Sequence, residues 1–100
     1  MQHLSVEMLA KWQQEDRQFR LLDVREDFEH EQFNIGGQLI SLGELMSRKA
    51  EIEKDLPVVI YCEKGIRSVI AIQRLEEAGF SNLYNLVGGM KAFKLALNAK

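Results

Sequence analysis

A chain of 100 residues, 46% hydrophobic and 28% charged with a single proline, has the makings of one compact domain over 1–100 and not two. Its formal net charge of −2 gives no reason to expect nucleic acid or an anionic membrane as partner, and its one cysteine excludes an internal disulfide. The start, Met1-Gln2-His3-Leu4-Ser5-Val6-Glu7, lacks a basic region followed by an apolar stretch, and no apolar run approaches the roughly 20 residues that cross a bilayer, so a cytoplasmic, reduced, soluble protein is expected.

Ser5 reads as an N-cap, followed by a helix over Val6 to Glu15 with Met8, Leu9 and Trp12 on its inner side. Phe19 to Val24 reads as a strand, and Glu26 to Gln32 as a short acidic helix. Gly36-Gly37 breaks the chain before a short strand, Gln38 to Ser41. Leu42 to Lys54 is expected to be helical. Val58 to Tyr61 reads as a buried central strand. A helix from Ile66 to Ala78, with Gly79 as its stop, places Ile66, Val69, Ile72 and Leu75 on one broad apolar face. Asn82 to Val87 is a further strand, and Gly88-Gly89 turns the chain into a last helix, Met90 to Leu97. Strands alternating with helices predict an α/β fold whose mainly parallel sheet is covered on both faces. In such sheets ligands bind beyond the C-terminal strand ends.

Cys62 sits at one of those ends, where the strand hands over to a helix through Cys62-Glu63-Lys64-Gly65-Ile66-Arg67. The first amides of a helix lack intrahelical partners and favour an anion, and the thiolate is the reactive form of cysteine. Gly65 allows a backbone turn that brings several amides onto one point. Arg67, in the first turn, opposes the helix dipole, and an anion held in the loop would account for it. Glu63 is expected to face solvent, since it would otherwise compete with that anion. Taken singly, Cys62 reads as a small buried hydrophobe, Gly65 as a turn glycine and Arg67 as a surface charge. Together, before a helix, they read as a reactive-thiol loop.

With Ser68 added, Cys62-x-x-Gly65-x-Arg67-Ser68 after an apolar strand resembles the active-site loop of the rhodanese domain, the sulfurtransferase fold. Leu22-Asp23-Val24-Arg25-Glu26 resembles that family's Asp-Val-Arg segment, Phe28 and Ile35-Gly36-Gly37 the segment after it, and Leu86-Val87-Gly88-Gly89-Met90-Lys91-Ala92-Phe93 its closing Gly-Gly signature. Phe33 to Gln38 departs from the usual Gly-His-Ile-x-Gly-Ala, and Ser41 and Phe93 stand where a proline and a tryptophan are frequent. The resemblance implies a three-layer sandwich around a five-stranded, mainly parallel sheet.

It also implies sulfane-sulfur transfer through a Cys62 persulfide, from an anionic donor such as thiosulfate to a thiol, a protein cysteine or cyanide, without metal or cofactor. Glu63, Lys64, Gly65, Ile66 and Arg67 would form the anion-binding loop, with Lys64 and Arg67 attracting the donor and Ser68 in support. Arg25 could flank the mouth of the site, or Asp23 and Arg25 could brace the loop; bracing is the favoured reading. His3 and His30 belong to no recognisable Cys/His pairing and are expected at the surface. The acidic run Glu26-Asp27, Glu29, Glu31 reads as a solvated helix start. Two other functions fit the fold. One is a non-catalytic binding module. The other is a phosphatase or arsenate reductase, disfavoured because only four residues separate Cys62 from Arg67 where the related phosphatases have five.

Overall fold

The computed structural model describes residues 1–99. Five strands form one sheet in the order β1-β5-β4-β2-β3: β1 (Gln2–Leu4), β2 (Arg20–Asp23), β3 (Gln38–Leu39), β4 (Val58–Tyr61) and β5 (Leu83–Leu86). All four ladders are parallel. The helices are α1 (Val6–Gln14), α2 (Asp27–Gln32), α3 (Ile66–Glu77) and α4 (Gly89–Asn98).

Parallel sheets need cover on both faces, and the central strand shows why. Every residue of β4 is buried, and its side chains alternate between two apolar clusters. Val58, Ile60 and Cys62 pack with Ala71, Ile72 and Leu75 of α3 and with Leu45 and Ile52. Val59 and Tyr61 pack with Leu9 and Trp12 of α1 and Met90 of α4. The three-layer sandwich with helices on both faces is therefore present, and Cys62 belongs to the α3 face.

Four expectations change. Gln2–Leu4 forms an edge strand that the sequence did not suggest, registered as His3 opposite Asn85. Leu42 to Lys54 is not one helix but two short 3-10 turns, Leu42–Glu44 and Lys49–Glu51. Gly43 weakens a helix there, and the Ser47 hydroxyl donates to the Glu44 carbonyl at 2.9 Å, competing with helical pairing. Farther on, Asn82 Nδ2 donates to the carbonyls of Glu53 and Leu56 at 2.8 and 2.7 Å and holds that segment as a loop. Met8 lies on the outside of α1, whose buried residues are Val6, Leu9 and Trp12. Ile66 is 67% exposed at the start of α3 instead of in its apolar face.

Candidate active site

β4 delivers Cys62 to the sheet's C-terminal end, and the chain then turns sharply into α3. Gly65 makes the turn as the N-cap of α3 with φ +94°, the left-handed region that glycine enters without strain. A glycine cap has no side chain to take the helix's orphan amides. The cysteine sulfur takes them instead: Cys62 Sγ accepts from the Gly65 N–H at 3.1 Å and from the Ser68 N–H, at the third helical position, at 3.3 Å. The sulfur is buried, 1% exposed as a residue, at the floor of an open cleft of about 310 Å³.

A second helix start holds the loop from behind. The Met90 N–H donates to the Cys62 carbonyl and the Lys91 N–H to the Glu63 carbonyl, both at 2.9 Å. These are the free amides of α4's first turn, and by holding two loop carbonyls they leave the loop's N–H groups facing the sulfur. Gly89 permits the approach. A Cβ there, at φ +56°, would run into the Cys62 carbonyl. The Gly-Gly pair is thus part of the thiol's support.

Beside the sulfur, Ser68 Oγ lies 3.5 Å from Cys62 Sγ and donates to Asn85 Oδ1 at 2.6 Å, and Asn85 Nδ2 lies 3.2 Å from His3 Nδ1. Ser68 thus lies against the sulfur, while Asn85 and His3 join it unannounced. His3 is exposed, as expected, but it is tied into the polar chain behind the thiol.

The other wall is built from charged side chains. Asp23 and Arg25 are buried and paired: Arg25 Nε donates to Asp23 Oδ1 at 3.0 Å and Nη2 to Oδ2 at 2.9 Å, with the Arg25 backbone N–H also on Oδ1 at 3.0 Å. Burial works against the guanidinium charge, but the hydrogen bonds and attraction of Asp23 outweigh it and hold the Arg25 pKa above its ordinary value. Arg25 also donates to the Phe33 carbonyl at 2.6 Å and to Glu63 Oε1 at 3.3 Å. This is the bracing arrangement, reaching from β2 to both the cysteine loop and the segment facing it. Tyr61 helps fix that segment by donating to the Gly36 carbonyl at 3.0 Å; burial raises its pKa and keeps it a donor.

Four expectations need correction here. Arg67 does not stand free for an anion: Nη1 and Nη2 donate to the two carboxylate oxygens of Glu29 at 2.7 and 2.8 Å. Its cost at a helix start is offset by that bidentate pair. Glu29, read as part of a solvated acidic run, lines the cleft, and its carboxylate is also fixed by the Glu26 N–H at 3.0 Å. Glu63 turns toward Arg25 and, at 4.0 Å, Lys94 instead of wholly to solvent. His30 is only partly exposed, with Nδ1 2.8 Å from Asp23 Oδ2. Lys64 is exposed and, among the described residues, makes no ion pair. The Glu29–Arg67 link spans 38 residues, so no local pattern could announce it. Asn85 could have been suspected as a polar residue at the buried end of a strand.

Comparison with known proteins agrees with this geometry. The sequence profile of the rhodanese-like domain matches residues 5–96. The uncharacterized protein YqhL of Bacillus subtilis is 42% identical over 85 residues, covering 84% of this chain and 68% of its own. The thiosulfate sulfurtransferase GlpE of Coxiella burnetii is 31% identical over 96 residues, covering 94% and 90%. Among solved structures, a rhodanese-like domain protein from Staphylococcus aureus superposes with a TM-score of 0.85 at 26% identity, over 93% of this chain and 91% of its own. The parallel five-stranded sandwich, the cysteine loop and the match along nearly the whole length place this chain in the rhodanese-like domain family.

Proposed function

We propose that the chain is a sulfurtransferase that carries sulfane sulfur as a persulfide on Cys62. The supporting observation is the convergence of the Gly65 and Ser68 amides on one sulfur atom at the floor of a cleft. A sulfur held this way is suited to negative charge, both as attacking thiolate and after loading.

Two displacements make up the cycle. In the first, the Cys62 thiolate attacks the outer sulfur of a donor. With thiosulfate, the new S–S bond forms as the old one breaks, sulfite leaves with the bonding pair, and Cys62–S–S⁻ remains. In the second, a thiol, a protein cysteine or cyanide attacks the terminal sulfur, the S–S bond breaks toward Cys62, and the thiolate is restored. The amides of the loop Glu63, Lys64, Gly65, Ile66 and Arg67, with that of Ser68, stabilise the terminal anion as an oxyanion hole would. Asp23 and Arg25 hold the loop in place and touch no reacting atom. Lys64 is the cation left to meet an anionic donor.

Intact-mass measurement tests the reading. After incubation with thiosulfate or an alkyl persulfide, the protein should gain one sulfur atom and lose it to cyanide, while Cys62→Ser should do neither. A protein that acquires no sulfur from either donor overturns the proposal.

A further inference from the structure

We propose that Glu29 selects the sulfur donor by charge, turning the cleft away from the thiosulfate dianion and toward organic persulfides; this rests on the sulfur-transfer reading above. The cleft over Cys62 is lined by Glu29, Glu63, Lys64, Ile66 and Arg67. Arg67 is paired with Glu29, and Glu63 turns to Arg25 and Lys94, so among these lining residues Lys64 alone is left as an unpaired cation. A site that gathers a dianion beside a thiolate needs excess positive charge, because the attack brings like charges together. Here the one arginine of the loop is spent on Glu29.

The geometry makes this pairing a fixed part of the wall. Arg67 Nη1 donates to Glu29 Oε1 at 2.7 Å and Nη2 to Oε2 at 2.8 Å, and the Glu26 N–H also donates to the carboxylate, at 3.0 Å. The pair is half-buried, 17% exposed on the glutamate side and 33% on the arginine side. The hydrogen bond from Arg67 lowers the Glu29 pKa to about 2, so its negative charge is permanent at neutral pH. A second observation points the same way: Ile66 is 67% exposed and lines the cleft. Sulfite offers nothing to that surface, whereas the carbon chain of a persulfide buries against it.

With a persulfide donor R–S–SH, the Cys62 thiolate attacks the outer sulfur, the donor's S–S bond breaks, and R–S⁻ leaves with the bonding pair. The proton on the transferred sulfur passes to the departing thiolate, leaving R–SH and Cys62–S–S⁻. No oxidant or reductant is consumed. The donor approaches neutral or with a single charge, so a cleft whose arginine is neutralised by Glu29 does not penalise it as it does a dianion.

The test compares rate constants for loading Cys62, read by rapid quench and intact mass, with thiosulfate and with 2-hydroxyethyl persulfide. The native protein should load from the persulfide at least about tenfold faster, and Glu29→Gln should raise the thiosulfate constant about tenfold relative to the persulfide constant. Gln still accepts the Glu26 N–H, so the start of α2 is kept. In Glu29→Gln, thiosulfate loading should also become more sensitive to added salt, because Arg67 then attracts the donor unopposed. Glu29→Asp keeps the charge and should keep the native donor ratio; a merely structural role would shift both variants alike. An unchanged ratio in Glu29→Gln, or a native protein that loads from thiosulfate as fast as from persulfide, overturns this inference and leaves sulfur transfer standing. Loading of the native protein by neither donor overturns both.

Discussion

The cleft has two walls built in different ways. On one side the β4–α3 loop is shaped by main-chain hydrogen bonds: amides of Gly65 and Ser68 on the sulfur, amides of Met90 and Lys91 on the loop carbonyls. On the other side α2 and the end of β2 present charged side chains, with Asp23 paired to Arg25 and Glu29 to Arg67. The main-chain wall supplies a property any sulfur nucleophile needs, a set of donors aimed at negative charge. The side-chain wall sets how much net charge surrounds it. The first tolerates change in most side chains as long as the glycines remain. In the second, the Glu29–Arg67 pair sets charge at the cleft, whereas the buried Asp23–Arg25 pair also braces the loop.

The largest effect isolates the atom that both walls serve. Cys62→Ser should abolish sulfur loading, seen by intact mass, while the fold persists, seen as a melting temperature close to that of the native protein. Next comes the brace. Arg25→Ala would leave the Asp23 carboxylate buried without its main partner, and should cost about 3–5 kcal/mol by urea denaturation. Replacing the pair together, as Asp23→Leu with Arg25→Met, should recover much of that loss, because the cost lies in the uncompensated charge. Equal losses in the single and double variants would show that Arg25 matters for its bonds to Phe33 and Glu63 instead. Gly89→Ala attacks the main-chain wall. Its Cβ meets the Cys62 and Glu63 carbonyls, so the loop has to move. About 1–3 kcal/mol of stability should go, together with most of the loading rate. Should Gly89→Ala lose the stability and keep the rate, the backing of the loop by α4 would not be what positions the sulfur.

The same division separates what the sequence disclosed from what it concealed. The main-chain wall was legible because backbone geometry leaves local marks: an apolar strand, a cysteine, a glycine three residues on, a helical period, and a Gly-Gly before the last helix. The alternation of strands and helices was legible for the same reason. The side-chain wall was not. Glu29 and Arg67 are brought together by the packing of α2 against the loop, and neither carries a local sign of the other. A cation in a first helical turn has to be answered by negative charge, and for Arg67 that answer comes from inside the chain, from Glu29. The bond of Asn85 to Ser68 depends on β5 lying beside β4, and the bond to His3 on an edge strand of three residues too short to show a period. The segment Leu42 to Lys54, expected as a helix, has the Glu44 carbonyl taken by the Ser47 hydroxyl and the Glu53 carbonyl by Asn82.

The smallest effect distinguishes the walls by acid. Glu29 has its pKa lowered from the usual 4.5 to about 2, first by the hydrogen bond from Arg67, with burial opposing. A group whose folded pKa is depressed binds protons more readily in the unfolded chain, so its contribution is complete above about pH 4.5 and is lost as pH falls toward 2. Glu29→Gln should therefore melt below the native protein at pH 6, and the gap should close between pH 4.5 and 2. For a partly exposed pair worth about 1 kcal/mol the gap is a few degrees. The clash in Gly89→Ala involves no titrating group, so its gap to the native protein should persist through the same window. Two gaps closing together would mean that acid loosens the whole molecule before it reaches the Glu29–Arg67 pair. A gap that closes for Glu29→Gln alone would place the lost stability in the charged wall, leaving the cradle around the sulfur unaffected.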